Sequence, residues 1–365
     1  MKKTTPKNIR LLTQEELEKW LAREGEKPYR AKQILEWLWQ KHVTSFEDMT
    51  NLSKPLRLKL QEHFFIETAQ LNETLQSKDG SLKNAVELPD GLHVESVVIP
   101  TGKRVTVCVS SQVGCSLDCT FCATAKLKRM RNLTYAEIVD QVKQAIDLAD
   151  EHYTRRLTNI VFMGMGEPLL NYTNVNKAIE IITSPKGLGL SPKRITLSTA
   201  GIPKMIKHLA SDQPKINLAV SLHSAIDEVR SRLMPVNERT GGLIPLMESL
   251  REWYRKTKNK ITFEYLVLKD INDNDLAIEA LIHYAKRVPS KINLIRYNPA
   301  NSFNNYQDAG DRWFLRYQKR LKEAGITATI RHSAGQDIDA ACGQLAGKYE
   351  TLLPKIVYKT PKLKF

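Results

Sequence analysis

Val105-Thr-Val-Cys108-Val-Ser-Ser-Gln-Val-Gly-Cys115-Ser-Leu-Asp-Cys119-Thr-Phe-Cys122 is the stretch on which the reading of this chain turns. Its first part, residues 105–111, is rich in β-branched side chains and reads as a buried strand. Three cysteines then crowd into the loop that this strand feeds. Three thiolates on one short loop can each ligate one iron of a cubane [4Fe–4S] cluster, and the missing fourth ligand leaves an iron open to a small molecule. Zinc is the competing occupant. It would want a fourth Cys or His at motif spacing, and none of the eight histidines supplies one nearby. The total of five cysteines is odd and gives no complete disulfide framework, which favours metal or redox chemistry.

Downstream, apolar β-rich runs at 159–163, 194–198, 216–221, 261–268 and 292–296 alternate with amphipathic helical stretches, one of them capped by Thr134 and Glu137. With 105–111 these make six βα units, and a last strand is expected at 327–331. The fold class that follows is α/β, a parallel sheet with right-handed crossovers curled into a full or partial barrel. In such a sheet the chemistry sits in loops after the C-terminal ends of the strands. Those loops hold Met163-Gly-Met-Gly166-Glu167-Pro168, Ser198, Ser221-Leu222-His223 and Asn298. Glycines there permit close backbone approach, and the Glu167 carboxylate can accept a hydrogen bond from an ammonium group.

Upstream, residues 1–64 read as a small helical module. Thr13 and Glu16 form a capping box ahead of Leu17, Trp20 and Leu21, and Gly25 ends that helix. A second helix carries Tyr29, Ile34, Leu35, Leu38 and Trp39, and Ser53 with Pro55 opens a third that runs to about His63. Residues 65–104 are a β-rich connector punctuated by Lys78-Asp79-Gly80, Pro89-Asp90-Gly91 and Pro100-Thr101-Gly102. The core is placed at 105–347 and a basic tail at 348–365.

The chain has 365 residues, 42% hydrophobic and 26% charged, a composition that builds a core and excludes a disordered or collagenous chain. Lys+Arg 55 against Asp+Glu 40 gives a net charge of +15, which calls for a polyanionic partner, nucleic acid first. Basic residues bunch at Lys126, Lys128, Arg129 and Arg131, at Arg251, Arg255, Lys256, Lys258 and Lys260, and in the tail at Lys348, Lys355, Lys359, Lys362 and Lys364. The helical module offers Arg30, Lys32 and Lys41. No apolar signal core and no bilayer-length apolar run is present, so a cytoplasmic location without membrane contact is expected.

The spacing Cys-x3-Cys-x2-Cys, with Phe121 before the last cysteine and a strand before the first, resembles the radical S-adenosylmethionine (SAM) superfamily. Longer motifs narrow it: Cys108-Val-Ser-Ser-Gln-Val-Gly-Cys115, Arg131-Asn-Leu-Thr134, Met163-Gly-Met-Gly-Glu-Pro168, Leu294-Ile-Arg-Tyr-Asn-Pro299 and Asp337-Ile-Asp-Ala-Ala-Cys342-Gly-Gln-Leu345 resemble the RlmN methyltransferases over nearly the whole chain. That resemblance implies a partial (β/α)6 radical SAM barrel behind a small N-terminal helical domain. It implies cluster ligands Cys115, Cys119 and Cys122, and SAM contacts at Gly166, Glu167, Ser198, Ser221, Leu222, His223 and Asn298. It also implies Cys342 as methyl carrier, Cys108 as the resolving cysteine that ends in a disulfide with it, and Glu95 as the proton acceptor. The implied reaction methylates C2 of an adenine in 23S ribosomal RNA, and beside the anticodon in transfer RNA. It uses two SAM per turnover and an electron donor such as flavodoxin, in a monomeric enzyme. Lys128 stands where many members carry Gly.

The chemistry supplies its own reasons. C2 of adenine lies between two ring nitrogens and has no lone pair to attack a SAM methyl, so a radical route is needed. A Cys342 thiolate can take a methyl by displacement, and a second thiol can free the product from it. The alternatives are a Cfr-type C8 methyltransferase with the same cysteines, and a non-catalytic Fe–S or zinc RNA-binding protein needing neither SAM cleavage nor Cys342.

Overall fold

The computed structural model describes residues 6–127, 129–213, 215–299 and 305–345. The expectations on Lys128 and on the tail 348–365 lie outside these residues, as does the end of the core at 346–347.

Three helices open the chain: α1 (Gln14–Arg23), α2 (Tyr29–Trp39) and α3 (Lys54–His63). The capping box forms as read. The Glu16 N–H donates to Thr13 Oγ1 at 3.1 Å and the Thr13 N–H to Glu16 Oε2 at 2.7 Å. Ser53 caps α3 by accepting the Leu56 N–H at 3.4 Å, with Pro55 in its first turn where no N–H is missed. Leu17, Leu21, Ile34, Leu38, Leu56 and Leu60 bury their side chains together, each worth about 1.5–3 kcal/mol relative to water.

Among the described residues ten strands form one sheet. The first three are antiparallel: β1 (Gln70–Gln76), β2 (Leu82–Glu87) and β3 (His93–Thr101). Then follow β4 (Arg104–Cys108), β5 (Asn159–Phe162), β6 (Ile195–Thr199), β7 (Asn217–Ser221), β8 (Ile261–Leu266), β9 (Ser290–Ile295) and β10 (Thr327–Arg331), paired in parallel and in sequence order. Helices α4 (Tyr135–Tyr153), α5 (Tyr172–Thr183), α6 (Pro203–Asp212), α7 (Asp227–Leu233), α8 (Leu243–Thr257), α9 (Asp275–Ala285) and α10 (Asp311–Glu323) lie in the crossovers. The sheet ends at β10 on one edge and β1 on the other, so it is a partial barrel.

Two differences from the sequence reading concern the sheet. The antiparallel strands are continuous with the barrel, because β3 pairs with β4 on the edge that β5 leaves free. The first barrel strand ends at Cys108, before residue 111. The Ser110 N–H turns to the Gln141 side chain at 2.8 Å and the Ser111 N–H to the Met165 carbonyl at 2.8 Å, which takes both out of the ladder.

Alternation along the strands sets the two faces. Val107, Ile160, Leu197, Val220, Phe263 and Leu294 are buried in the core that the helices cover. Ser198, Ser221 and Glu264 have the opposite parity and line a pocket. Cys108 falls on that concave side, and so do Val97 and Lys83, its successive partners across the antiparallel strands. No helix among the described residues is long and apolar enough to cross a membrane.

Candidate active site

At the C-terminal ends of the parallel strands the pocket gathers Cys115, Cys119, Cys122, Gly166, Glu167, Ser198, Ser221, His223, Asn298 and Cys342. Segments more than 200 residues apart in sequence thus meet at one place.

The cysteine loop is held from three sides. The Thr120 N–H donates to the Leu233 carbonyl at 3.0 Å, the Ala123 N–H to the Gly343 carbonyl at 2.8 Å, and Thr124 Oγ1 to the Leu345 carbonyl at 2.8 Å. The last two bonds stitch the turn bearing Cys342 to the loop bearing the three cysteines. Burial pushes the Cys115 thiol up to about 12, Cys119 well above the ordinary thiol range and Cys122 upward too, with neighbouring sulfurs adding to each. Three mutually repelling thiols deprived of water ionise only against a cation. Backbone N–H groups of Leu117 and Ala125 already point at the Cys115 and Cys122 sulfurs. No three His, Cys, Asp or Glu side chains among the described residues group as ligands of a single metal ion. Three thiolates on one short loop suit a cubane, in which each serves its own iron. The donor set fits a [4Fe–4S] cluster.

Gly166 has φ +96°, and a Cβ there would stand 2.6 Å from the Gln112 side chain, so only glycine lets the turn close. Beside it, Glu167 is buried and its carboxyl is pushed up by burial, against hydrogen bonds from the Ala200 and Leu169 backbone and the Thr199 hydroxyl. Oε1 accepts the Leu169 N–H at 3.0 Å and Oε2 the Ala200 N–H at 2.7 Å. His223 is buried and driven down to about 3 by burial, so its ring is neutral. Its Nδ1 accepts the Leu266 N–H at 3.0 Å, and its edge packs on Phe121, ring centres 4.7 Å apart. Asn298 donates to Ser333 Oγ at 2.8 Å and accepts from Gln336 Nε2 at 2.6 Å, which ties it to the segment leading to Cys342.

Three expected site residues are not on the pocket wall. Leu222 is fully buried in the core, because alternation turns it away from the side that Ser221 and His223 face. Cys108 is buried in its strand, and burial, then the Cys342 sulfur, raises its thiol to about 12. Glu95 is buried and ion-paired with Lys83, Nζ to Oε1 2.9 Å, and the same ammonium donates to the Asp339 carbonyl at 3.1 Å. The carboxylate strand and the Cys342 loop therefore share one lysine. All five cysteines are free thiols, so the disulfide between Cys108 and Cys342 is not part of this fold. One thiol is buried in the strand ladder and the other is exposed on a turn.

The sequence reading missed Arg331 and Glu264, both on the pocket wall. The Cys342 sulfur foremost, then Glu264 and Cys108, hold the Arg331 guanidinium charged. Glu264 accepts from Asn293 Nδ2 at 2.9 Å and lies 3.8 Å from Arg331 Nη1. Their signal was charge at concave-side positions of two parallel strands. Of the basic residues expected to meet a polyanion, Arg131 is already engaged by Asp90 at 2.6 Å and Glu137 at 2.8 Å.

Comparison with known proteins agrees with this geometry. The family described as "Ribosomal RNA large subunit methyltransferase N-terminal domain" matches residues 7–66, and the radical SAM superfamily matches residues 109–281. The chain is 57% identical over 346 residues to the probable dual-specificity RNA methyltransferase RlmN of Christiangramia forsetii, covering 95% of this chain and 98% of that one. It is 44% identical over 326 residues to the dual-specificity RNA methyltransferase RlmN of Halorhodospira halophila, 89% of each chain. A solved radical SAM methyltransferase from Sphaerobacter thermophilus superposes with a TM-score of 0.86 at 38% identity, over 94% of this chain and 100% of that one.

Proposed function

The chain belongs to the RlmN family of radical SAM RNA methyltransferases, and we propose that its product is adenine methylated at C2. The substrate in this reading is a defined adenine of 23S ribosomal RNA, with the adenine beside the transfer RNA anticodon as a second. The observation that carries it is the exposed Cys342 thiol on the wall of the pocket that also gathers Cys115, Cys119, Cys122 and Glu167.

Cys115, Cys119 and Cys122 would hold the [4Fe–4S] cluster, and Gly166, Glu167, Ser198, the segment 221–223 and Asn298 would hold SAM. When bound, these groups supply a methyl from one SAM and, by one-electron cleavage of a second, a 5′-deoxyadenosyl radical. Cys342 accepts the methyl on sulfur; one hydrogen atom of that methyl would pass to the deoxyadenosyl radical, and the carbon radical left on the Cys342 sulfur would add to C2 of the base. Glu95, poised beside Lys83, takes the C2 proton. Cys108 then attacks the Cys342 sulfur. The bond from that sulfur to the base carbon breaks with its electron pair on carbon, which takes up a proton, and a disulfide remains. An electron donor such as flavodoxin supplies the electron for SAM cleavage and takes back the one that leaves the base adduct with its C2 proton; exchange with a dithiol reductant resets the cysteine pair. The disulfide thus belongs to one step of the cycle rather than to the fold. A domain division at 1–64, 65–104 and 105–347 matches these roles: RNA contact, the strand bearing Glu95, and the radical core.

The test is anaerobic incubation with SAM, a reductant and ribosomal RNA, followed by nucleoside mass analysis of the digest. 2-Methyladenosine is expected. 8-Methyladenosine would assign the Cfr-type reaction instead, and RNA without added methyl would leave only a binding protein.

A further inference from the structure

Arg230 lies on α7, fully buried, and its guanidinium makes its hydrogen bonds behind the SAM pocket. Nη2 donates to the Ala200 carbonyl at 2.6 Å and the Ser221 carbonyl at 3.1 Å, and Nε to the Leu222 carbonyl at 3.1 Å. Nη1 donates to Asn237 Oδ1 at 2.5 Å. Asn237 is itself fixed, donating to Asp227 Oδ1 at 3.0 Å and Ser231 Oγ at 3.0 Å.

These carbonyls are the outgoing ends of β6 and β7. Ala200 follows the strand that carries Ser198, and its N–H is the one that Glu167 Oε2 accepts. Ser221 and Leu222 are in the segment that turns into His223. One planar cation therefore sets the spacing of the two strand ends that present Ser198 and Ser221 to the pocket and, through the Ala200 N–H, hold Glu167. Only the guanidinium fork has donors in directions that reach all of them at once.

The same helix also braces the cysteine loop. Leu233, one turn after Arg230, accepts the Thr120 N–H at 3.0 Å through its carbonyl, and Arg239 just beyond it pairs with Asp118 at 2.7 Å. Thr120 and Asp118 flank Cys119. A fixed positive charge on this helix favours the cluster state with the extra electron, since it offsets added negative charge. The guanidinium remains protonated at neutral pH, although burial lowers it to about 10.

We infer that Arg230 is a positioning residue of the SAM site whose fixed charge also raises the reduction potential of the cluster. It touches neither SAM nor iron. It acts through the backbone of Ala200, Ser221 and Leu222 and through its place beside the Cys119 loop. This rests on the assignment of Glu167, Ser198 and Ser221 to SAM.

The test separates the fork from the charge. Arg230→Lys keeps a cation without the fork, Arg230→Met removes both, and Asn237→Ala keeps Arg230 but frees one of its arms. Each variant is reconstituted anaerobically, and SAM affinity by equilibrium dialysis, cluster midpoint potential by mediated dithionite titration, and the urea midpoint are measured. SAM binding should weaken roughly tenfold to a hundredfold in Arg230→Lys and Arg230→Met, the range for partners that orient a binding group from behind, and less in Asn237→Ala. The potential should fall only in Arg230→Met. A role in folding alone would move the urea midpoint and leave both other readouts in place, which would overturn the inference. So would equal potentials in the Lys and Met variants. If neither Arg230 variant folds, Asn237→Ala decides, and wild-type SAM affinity there rejects the inference. Glu167→Gln marks the underlying assignment: undiminished SAM binding in that variant rejects the site itself. Loss there with retention in Arg230→Lys rejects only the role of Arg230.

Discussion

Arg10 and Asp140 meet in a buried two-pronged ion pair, Nη1 to Oδ2 at 2.8 Å and Nη2 to Oδ1 at 2.5 Å. The pair joins the segment before α1 to the first helix of the barrel. Around it, Asp140 also accepts the Ala69 N–H at 2.9 Å, Arg10 donates to the Glu67 carbonyl at 3.0 Å, and the guanidinium stacks 4.8 Å from the Trp39 ring centre. A single charge pair thus fixes the helical module, the entry to β1 and α4 in one register.

Removing one partner strands the other charge without water. Asp140→Ala should therefore cost about 3–5 kcal/mol by urea denaturation, while Arg10→Met with Asp140→Leu should cost clearly less. A single-variant loss below about 1 kcal/mol would mean that the module is held by its apolar contacts instead.

Two histidines, the half-buried His42 and the buried His223, are lowered from 6.5 to about 3, in each case by desolvation first and then by nearby arginine. Below pH 6.5 the unfolded chain takes protons that the native chain refuses, so stability falls as pH drops from about 6.5 toward 3. The slope is about 1.4 kcal/mol per pH unit for each such histidine. His42 sits at φ +52°, a conformation that asparagine tolerates. His42→Asn should flatten the acid limb by about one proton relative to wild type. Parallel curves would show that His42 titrates normally in the fold.

The sequence made the parallel series legible because its strands are apolar runs bounded by capped helices, as at Thr134 and Glu137. The cysteine loop was legible because its ligands are local in sequence. What escaped was anything set by the register between strands. Lys83 is one lysine among many in the sequence until the pairing of β2 with β3, and of β3 with β4, places it on the same face as Glu95 of β3 and Cys108 of β4. Arg230 reads as one charge among several on a short helix until the ends of β6 and β7 present their carbonyls to it. Leu222 was included with its neighbours as a segment, and period-two alternation removes it from the pocket.

Cluster assembly should depend on the three loop cysteines and not on the other two. Cys119→Ala, purified without oxygen, should lose its iron–sulfur absorbance and all SAM cleavage. Cys342→Ala should keep both and make no methylated RNA. Stoichiometric zinc with full activity would reject the cluster.

The sharpest case is Cys108, whose proposed task begins only after Cys342 has been joined to RNA. Its thiol is buried in a strand and raised to about 12, the state of an inert structural cysteine. Yet part of that rise comes from the Cys342 sulfur, and Arg331 feels both. A cation shared by two thiols favours whichever has lost its proton, so the arrangement can make Cys108 nucleophilic when Cys342 is tied up as a thioether. Cys108→Ala should then assemble its cluster, accept the methyl on Cys342 and add it to the base, but fail to let go. A protein–RNA adduct that survives denaturation should accumulate only with SAM and reductant, and Cys108→Ala with Cys342→Ala should form none. A merely packed Cys108 predicts the opposite pattern: a modest loss of stability on truncation to Ala and free methylated RNA at near wild-type rate. A denaturing gel separates the two outcomes, since only a thioether to Cys342 moves RNA with the protein band.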